Sequence, residues 1–376
     1  MDEDLEWLKL PHALQTLFFE RVEEEASSLL EVIEKLDACL SSAKKFLEDC
    51  FETYVESEAE LRIGAVDGSR SPNLSERLGA KYGVFTAGAV VLEGRRRVDE
   101  KYYAGQFRRA QAFSSEASRY FLELLSEYAE RKLALELLDE VDFLLIDGSF
   151  FGFIYPALRM KKRKLFGERE EEVFRELYEI TEELINSKKV VGVIKRSHTR
   201  AIGGFSAVRG GASDCSSELA TVIDKLILSA IMPPKTIFRY EKLIGEENVT
   251  VYTEAARIFA KRGSSEDIME AARKKAYEPF RRLELDLRYF EVMRRAQVKA
   301  FPSAPVCELE HPSMDRDELM KLVSSANFFN ENTGLPIAID VIDSLVNLGS
   351  RFTEEYVNEL EARLLEKLSY RNPEVV

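Results

Sequence analysis

The strongest constraint on the fold is an apolar stretch that ends in Asp-Gly-Ser and occurs twice. Residues 63–69 and residues 141–149 both have this form. Apolar runs this dense are typical of strands that are buried on both faces. The glycine after each aspartate lets the backbone turn and lets another group approach closely. The repeat therefore predicts two buried strands, each with a carboxylate, Asp67 or Asp147, at its C-terminal end.

Two aspartates at the ends of buried strands predict a cation site if the strands are neighbours. The mutual repulsion of two adjacent carboxylates raises a pKa or requires a cation between them. Oxygen ligands suit Mn²⁺ or Mg²⁺. The alternative is structural, because Asp-Gly is also a common hairpin-turn dipeptide. The repetition of the whole unit, strand and tripeptide together, favours the metal site.

The order of the predicted elements indicates a fold class. Three strands come first, near residues 63–67, 82–92 and 98–107. A helix at 114–140, the strand that ends at Asp147, a helix at 168–187 and a strand at 189–195 follow. This is the element order of the ribonuclease H-like fold, in which carboxylates on the first strand, the first helix and the fourth strand hold the metals. We therefore predict an α/β protein with a ribonuclease H-like mixed sheet flanked by helices.

The rest of the chain gives weaker patterns. Glycine pairs predict a loop at 203–211, and apolar spacing predicts a helix at 217–231 that ends before Pro233. An extended segment is predicted at 289–301. Two C-terminal helices are predicted at 336–348 and 353–369, the second capped by Thr353.

The first sixty residues predict an acidic helical arm. Residues 12–60 have helical apolar spacing without Pro or Gly, and residues 1–60 hold 17 acidic and 5 basic side chains. They carry −12 of the total charge of −14, so the remaining 316 residues are nearly neutral and permit local basic patches. We predict an arm at 1–60 and a main domain at 61–376, with the core at about 61–200 and residues 201–376 completing the site. The apolar stripe of the arm packs on its own body, a second subunit or a partner, and we favour the last two.

The cysteines and the hydropathy predict a cytoplasmic protein without a membrane segment. Cys39, Cys50, Cys215 and Cys307 form no CxxC motif, and we predict that all four are reduced thiols. No apolar run approaches the ~18 residues of a membrane span. The acidic N-terminus is unlike the basic start of a signal peptide.

Four segments together resemble the NurA family of archaeal and bacterial nucleases. They are residues 65–69, 145–149, 191–195 and 333–336, and their order and spacing carry the resemblance over roughly residues 60–350. The resemblance implies a Mn²⁺-dependent DNA nuclease of the 5′–3′ exonuclease and single-strand endonuclease type. It also implies a homodimer that docks on a HerA-type hexameric translocase during DNA end resection and repair.

The resemblance also assigns residues. The third carboxylate of the family lies on the first helix, and here Glu130 takes that position, with Glu123 and Glu127 as alternatives. The late motif of the family runs like Gly-Tyr-Pro-Tyr-Pro-Leu-Ile-Glu-Ala-His. In this chain Leu335 replaces the tyrosine and Asp343 replaces the histidine of the site, and a carboxylate can still bind Mn²⁺ or Mg²⁺. His311 could compensate, although we favour a surface-loop histidine.

The resulting hypothesis is in-line hydrolysis of a phosphodiester. The metal ligands are Asp67, Glu130 and Asp147, with Asp343 as a possible fourth. Lys195, at the end of the fifth strand, neutralises a phosphate oxygen or is simply a solvent-exposed strand end. Two other hypotheses stay open, a nuclease-inactive adaptor for the translocase and a phosphoesterase for small substrates on the same fold.

Overall fold

The computed structural model describes residues 10–210, 215–263 and 267–371. The strands are β1 Phe51–Thr53, β2 Arg62–Arg70, β3 Ser75–Arg77, β4 Ala80–Glu93, β5 Arg96–Ala110, β6 Phe143–Asp147, β7 Val190–Ile194, β8 Thr236–Arg239, β9 Met293–Lys299 and β10 Cys307–Pro312. The helices up to residue 231 are α1 His12–Leu47, α2 Ser115–Leu137, α3 Ile154–Lys162, α4 Glu168–Ser187, α5 Ala201–Arg209, α6 Ser216–Thr221 and α7 Asp224–Ile231. The later helices are α8 Glu241–Ile244, α9 Val249–Arg262, α10 Ile268–Leu283, α11 Leu287–Glu291, α12 Arg316–Ser324, α13 Ile337–Val346 and α14 Phe352–Arg371.

The strands form one mixed sheet in the order β1-β8-β9-β10-β7-β6-β2-β4-β3, with β5 paired to β4. The pairs β2–β6 and β6–β7 are parallel, and the other pairs are antiparallel. The five strands predicted between residues 63 and 195 all form, in the predicted order. The predicted fold class, a mixed α/β sheet flanked by helices, is confirmed.

Helices cover both faces of the central strands, which explains the unbroken apolar runs in the sequence. Val66, Leu144 and Ile146 pack into a core with α2 and α4 on one face. Alternate residues such as Ala65 and Leu145 pack into a second core with α12 and α13 on the other face. Because β2, β6 and β7 are parallel, their C-terminal ends lie at the same edge of the sheet.

The predicted loop at 203–211 is wrong over its first part, because Ala201–Arg209 is the helix α5. A Cβ at Gly203 or Gly204 would overlap the carbonyl oxygen of Leu219 or Tyr252. The two glycines therefore allow α5 to pack closely against α6 and α9, rather than allowing a turn. Gly210 does end the helix, with φ at 81°, and residue 211 lies outside the described residues.

Three further element predictions needed correction. The helix expected at 217–231 is two helices, α6 and α7, and the segment expected to be extended at 289–301 contains α11 before β9. Thr353 does not cap the last helix, because α14 begins at Phe352 and Thr353 is buried in its first turn. The strand β10 was missed, although its central position in the sheet is essential to the site described below.

The N-terminal segment is helical only in part. The helix α1 covers 12–47 as expected, but β1 follows it and pairs with β8 at the edge of the sheet. The C-terminal end of α1 is packed on the body through Ala43 and Leu47, whereas Leu17 and Val22 are exposed. The division of the chain into an arm and a main domain, and the contact of the arm with a subunit or partner, stay predictions.

The prediction of four reduced thiols is wrong for two of them. Cys39 of α1 and Cys215, directly before α6, form a disulfide across 176 residues of sequence, with their Cα atoms 5.6 Å apart. Cys50 and Cys307 are free and buried. Sequence spacing could not show this pair, because the packing of α1 beside α6 brings the two cysteines together. Among the described helices, none has the length and apolar character needed to cross a membrane.

Candidate metal centre

Three aspartates meet at the C-terminal ends of the central parallel strands. In β2 and β6, Val66 lies opposite Ile146, so Asp67 and Asp147 follow at the same level of the sheet. The helix α13 packs on β2 and β4 and contributes Asp343. The three residues offer carboxylate oxygens that all lie within 4.8 Å of one another. The repeated strand unit predicted the first two, and the family resemblance predicted the third.

A small residue on β4 allows α13 to lie close enough to contribute Asp343. Gly88 is the partner of Asp67 in the antiparallel pair β2–β4. A Cβ at Gly88 would overlap the side chain of Val346 and would lie 2.9 Å from the Ile342 side chain. Ile342 directly precedes Asp343, and burial of Ile342 against the sheet holds the carboxylate of Asp343 at the edge of the cluster.

Lys195 lies in the middle of this acidic cluster. It follows β7, whose Val193 pairs with Asp147 on β6. Its ammonium nitrogen lies 3.1 Å from Asp147 Oδ2 and 3.1 Å from Asp343 Oδ2. Because the lysine side chain is 22% exposed, it is held within the cluster rather than free in solvent. One positive charge is thus shared between two of the three carboxylates.

Burial disfavours the charged forms of the groups in the cluster. Burial and the nearby Asp147 raise the pKa of Asp67 to about 7, although Lys195 opposes the shift. Burial also raises the pKa of Asp147, again against the effect of Lys195. Burial lowers the pKa of Lys195, but Asp147 and Asp343 outweigh it and the net shift is upward. Three carboxylates with one ammonium have an excess of negative charge, and a hard divalent cation fits this set of oxygen donors.

Glu130 lies beside the cluster but is not one of its three converging members. The residue is buried on α2, and its carboxylate is paired with the guanidinium of Arg131. A Cβ at Gly68 would lie 3.2 Å from Glu130 Oε2, so this carboxylate faces the residue that follows Asp67. Burial raises the pKa of Glu130 well above its usual range; Arg131 opposes the shift and Asp67 adds to it.

The two alternative glutamates on α2 point elsewhere. Glu123 is paired with Arg70 at 2.7 Å. Glu127 faces Gly152, at 3.5 Å from the position that a Cβ would take there. Of the three glutamates, Glu130 is therefore the one whose carboxylate faces the residue after Asp67.

Comparison with known proteins gives the family. The NurA domain matches residues 61–348. The chain belongs to the NurA family. The crystal structure of the NurA nuclease from Sulfolobus solfataricus has a similar fold, with a TM-score of 0.57 at 13% sequence identity, and the match covers 92% of this chain and 98% of that one. A NurA crystal structure with manganese is less similar, with a TM-score of 0.43, 13% identity, and coverage of 91% of this chain and 98% of that one. No curated protein matches.

This NurA chain holds the turn after Asp147 with a buried glutamate that the sequence analysis missed. Glu310 of β10 accepts hydrogen bonds from Ser149 Oγ at 2.7 Å and from the Phe150 backbone N–H at 2.8 Å. The guanidinium of Arg295 balances its charge at 2.8 Å. Glu310 thereby holds the Asp-Gly-Ser turn in place, and with it the position of Asp147 in the acidic cluster.

A second glutamate on the same strand holds the segment after Lys195. Glu308 is fully buried and accepts hydrogen bonds from Ser197 and from Thr199 Oγ1, the latter at 2.8 Å. Gln297 of β9 donates to it at 2.6 Å, and Arg295 pairs with it at 2.9 Å. The alternation of Glu308, Leu309 and Glu310 was the available signal, since alternate residues of a strand share one face.

The prediction of a surface-loop histidine is wrong. His311 lies in β10 and is 1% exposed. Its Nδ1 accepts a hydrogen bond from the Met314 backbone N–H at 3.3 Å. Burial lowers the pKa of His311 to about 3, and Arg239 and Arg294 add to the shift. The histidine is therefore a neutral core residue, and the aspartates of the metal centre are not among the groups that shift its pKa.

The two substitutions in the late motif have different structural outcomes. Leu335 packs against the apolar core under α12 and α13. Asp343 belongs to the acidic cluster. The change at position 335 therefore places an apolar contact where the family has a phenol, whereas the change at position 343 places a carboxylate in the acidic cluster.

Proposed function

We propose that this chain is a divalent-metal-dependent deoxyribonuclease that hydrolyses phosphodiester bonds. The observation that carries the proposal is the convergence of Asp67, Asp147 and Asp343 around Lys195. Three carboxylates at the edge of a ribonuclease H-like sheet, in a member of the NurA family, suit chemistry on an anionic phosphate only when a cation offsets their charge. We propose Mn²⁺ or Mg²⁺ as that cation.

The proposed ligands are the three clustered aspartates, with Glu130 as an additional ligand. When bound, such an ion supplies a water of lowered pKa and stabilises the leaving oxygen. Glu310 fixes the turn of Asp147 through Ser149 and the Phe150 N–H, so this ligand is positioned before substrate arrives. Preorganised ligands avoid a reorganisation cost during the reaction.

Lys195 is proposed to stabilise the negative charge of the phosphate during hydrolysis. Its ammonium contacts Asp147 and Asp343, two of the proposed metal ligands, which supports a role beside a phosphate bound to that metal. A preorganised donor at a developing charge contributes most in a site with little water. The same ammonium limits repulsion between Asp147 and Asp343 in the free protein.

The finer features of the proposal rest on family membership alone. We propose 5′–3′ exonuclease and single-strand endonuclease activity in DNA end resection, as a cytoplasmic homodimer with a HerA-type translocase. A nuclease-inactive adaptor is the second candidate, and the observation that favours it is the apolar Leu335 at the tyrosine position of the family motif.

The test is cleavage of end-labelled single-stranded and duplex DNA with Mn²⁺ or Mg²⁺, with and without chelator. We expect chelator-sensitive cleavage that Asp343→Asn weakens strongly. Asp340→Asn is the matched control, because Asp340 lies one turn earlier on α13 and its carboxylate bonds Asn330 and Thr333 instead. Binding to a translocase without cleavage of any DNA would establish the adaptor, and cleavage of small diesters alone would establish the phosphoesterase.

A further inference from the structure

Two open clefts flank the metal centre and share one arginine. The first, of about 510 Å³, begins at Ser149, two residues after Asp147, and extends along α3 and the start of α9. The second, of about 670 Å³, begins at Gly68, directly after Asp67, and extends along the start of α2. Arg196, the neighbour of Lys195, lines both clefts. Each cleft therefore begins within two residues of one aspartate of the cluster, Asp147 for the first cleft and Asp67 for the second.

The clefts carry positive charge that the protein does not neutralise. Arg119 lines the second cleft and Arg159 the first. Within residues 10–210, 215–263 and 267–371, neither these two arginines nor Arg196 forms an ion pair, although Arg159 lies 5.8 Å from the ring centre of Tyr120. In a chain of net charge −14, three unpaired guanidinium groups along one path indicate an anionic occupant.

One tyrosine ring lines each cleft beside these arginines. Tyr155 lines the first cleft one turn before Arg159 on α3, and 56% of its surface is exposed. Tyr120 lines the second cleft. Arginines that follow a backbone, interleaved with aromatic rings on which bases stack, are the features of single-strand nucleic-acid sites. A cleft of about 510 Å³ is in the size range of a site for one small ligand, which corresponds to a nucleotide or two.

We propose that the two clefts form a continuous path for a single DNA strand, in which Arg196 binds the phosphate beside the cleaved one and Tyr155 stacks a base. This inference rests on the proposed function, because it names the part of the substrate on either side of the metal centre. Arg159 in the first cleft and Arg119 in the second bind further phosphates of the strand. The path makes single-stranded DNA, or a frayed end, the form that reaches the aspartates.

The test compares Tyr155→Ala and Arg196→Ala with matched controls in the full-length protein. Tyr102→Ala removes an equally exposed ring (53%) on β5, outside both clefts. Arg262→Ala removes an exposed arginine at the far end of α9. Binding of fluorescent oligothymidylate is measured by anisotropy in chelator, so that the result does not depend on cleavage.

We expect Tyr155→Ala to weaken oligothymidylate binding about tenfold, as loss of one stacked base does. Arg196→Ala should weaken binding and lower the slope of log affinity against log salt by about 0.7, the value for one phosphate of a single strand. In the cleavage assay, the loss in kcat/KM for the oligonucleotide should exceed the loss for bis(p-nitrophenyl) phosphate. Equal binding by variants and controls would overturn the path, as would equally effective displacement by a polyglutamate peptide. If the wild type shows no Mn²⁺-dependent cleavage, while the variants still bind more weakly than the controls, the nuclease proposal is overturned and the path is not.

Discussion

Gly192 of β7 lies against the turn that follows Asp147, and its replacement by alanine tests how the candidate metal centre is held. β7 lies between β6 and β10, and Gly192 pairs with Ile146 on one side and Glu310 on the other. A Cβ at this position would lie 2.5 Å from the carbonyl oxygen of Gly148, and such contacts are essentially never shorter than 3.0 Å. The atom in the way is backbone, so the turn that follows Asp147 has to move by about 0.5 Å or more.

The displacement acts on both stability and activity. Overpacking of a buried position costs about 1–3 kcal/mol of unfolding free energy. Because a misplacement of ~1 Å can cost about a hundredfold in rate, we expect Gly192→Ala to lower kcat/KM by at least about tenfold. The turn is also tied to Glu310 through Ser149 and Phe150, so it cannot move without lengthening those hydrogen bonds.

The assay is Mn²⁺-dependent DNA cleavage per folded molecule, together with urea unfolding. Gly64→Ala is the matched control, because its Cβ would meet only side-chain atoms, the Leu144 Cδ1 at 2.8 Å and Val141 Cγ1 at 3.2 Å. We expect this control to lose stability but to retain activity within about twofold, since side-chain rotation can relieve the contact. The argument is refuted if Gly192→Ala cleaves like the wild type, or if the two variants lose activity equally.

Three further predictions follow from the charges of the molecule. Asp147→Asn should abolish cleavage while leaving the unfolding free energy without metal no lower than that of the wild type, because it relieves carboxylate repulsion; a markedly less stable variant contradicts this. With the pKa of Asp67 near 7, Mn²⁺ binding at pH 6 should release about one proton, and the release should fade above pH 7, as calorimetry in buffers of different ionisation enthalpy can measure. The pKa of His311, lowered to about 3 by burial, lies below its unfolded value. The contribution of neutral His311 to the free energy of unfolding is therefore complete above about pH 6.5. It decreases on acidification, so that the free energy of unfolding is lower by about 2 kcal/mol at pH 5. His311→Asn, whose Oδ1 can accept from the Met314 N–H, should remove that pH dependence in urea unfolding, and an unchanged pH profile would contradict the assignment.

The central strands and their aspartates were predictable because their signals are local. Burial on both faces makes the runs that end at Asp67 and Asp147 apolar at every position, and the tripeptide marks where each strand ends. The parallel pairing that brings the two ends together then follows from the order of the elements. Whether Asp67, Glu130, Asp147 and Asp343 bind metal, and whether Lys195 contacts a phosphate, stay predictions.

The rest of the centre depends on contacts between distant parts of the chain. Glu310 reaches Ser149 across 161 residues, and no pattern near either residue reports that contact. Gly88 lets α13 lie close to β4 and bring Asp343 near Asp67, a contact that no local periodicity reports, so the family resemblance identified this residue. The glycines of α5 predicted a loop for a related reason. Close packing of helices and formation of a turn both favour glycine, because it has no side chain.

The disulfide of Cys39 and Cys215 places the residues of the candidate metal centre in two covalently different parts of the chain. It closes a covalent ring that contains Asp67, Asp147 and Lys195, whereas Asp343 lies on the open chain beyond it. By the chain-entropy relation, closing a loop of 176 residues lowers the entropy of the unfolded chain by the equivalent of about 5 kcal/mol. A single cut in the backbone inside the ring leaves the two pieces covalently joined, whereas a cut between Cys215 and Asp343 leaves α13 without a covalent link to the other two aspartates. Two of the aspartates and the lysine thus lie inside a covalent ring, whereas the third lies outside it on α13, which is held against β2 and β4 by packing.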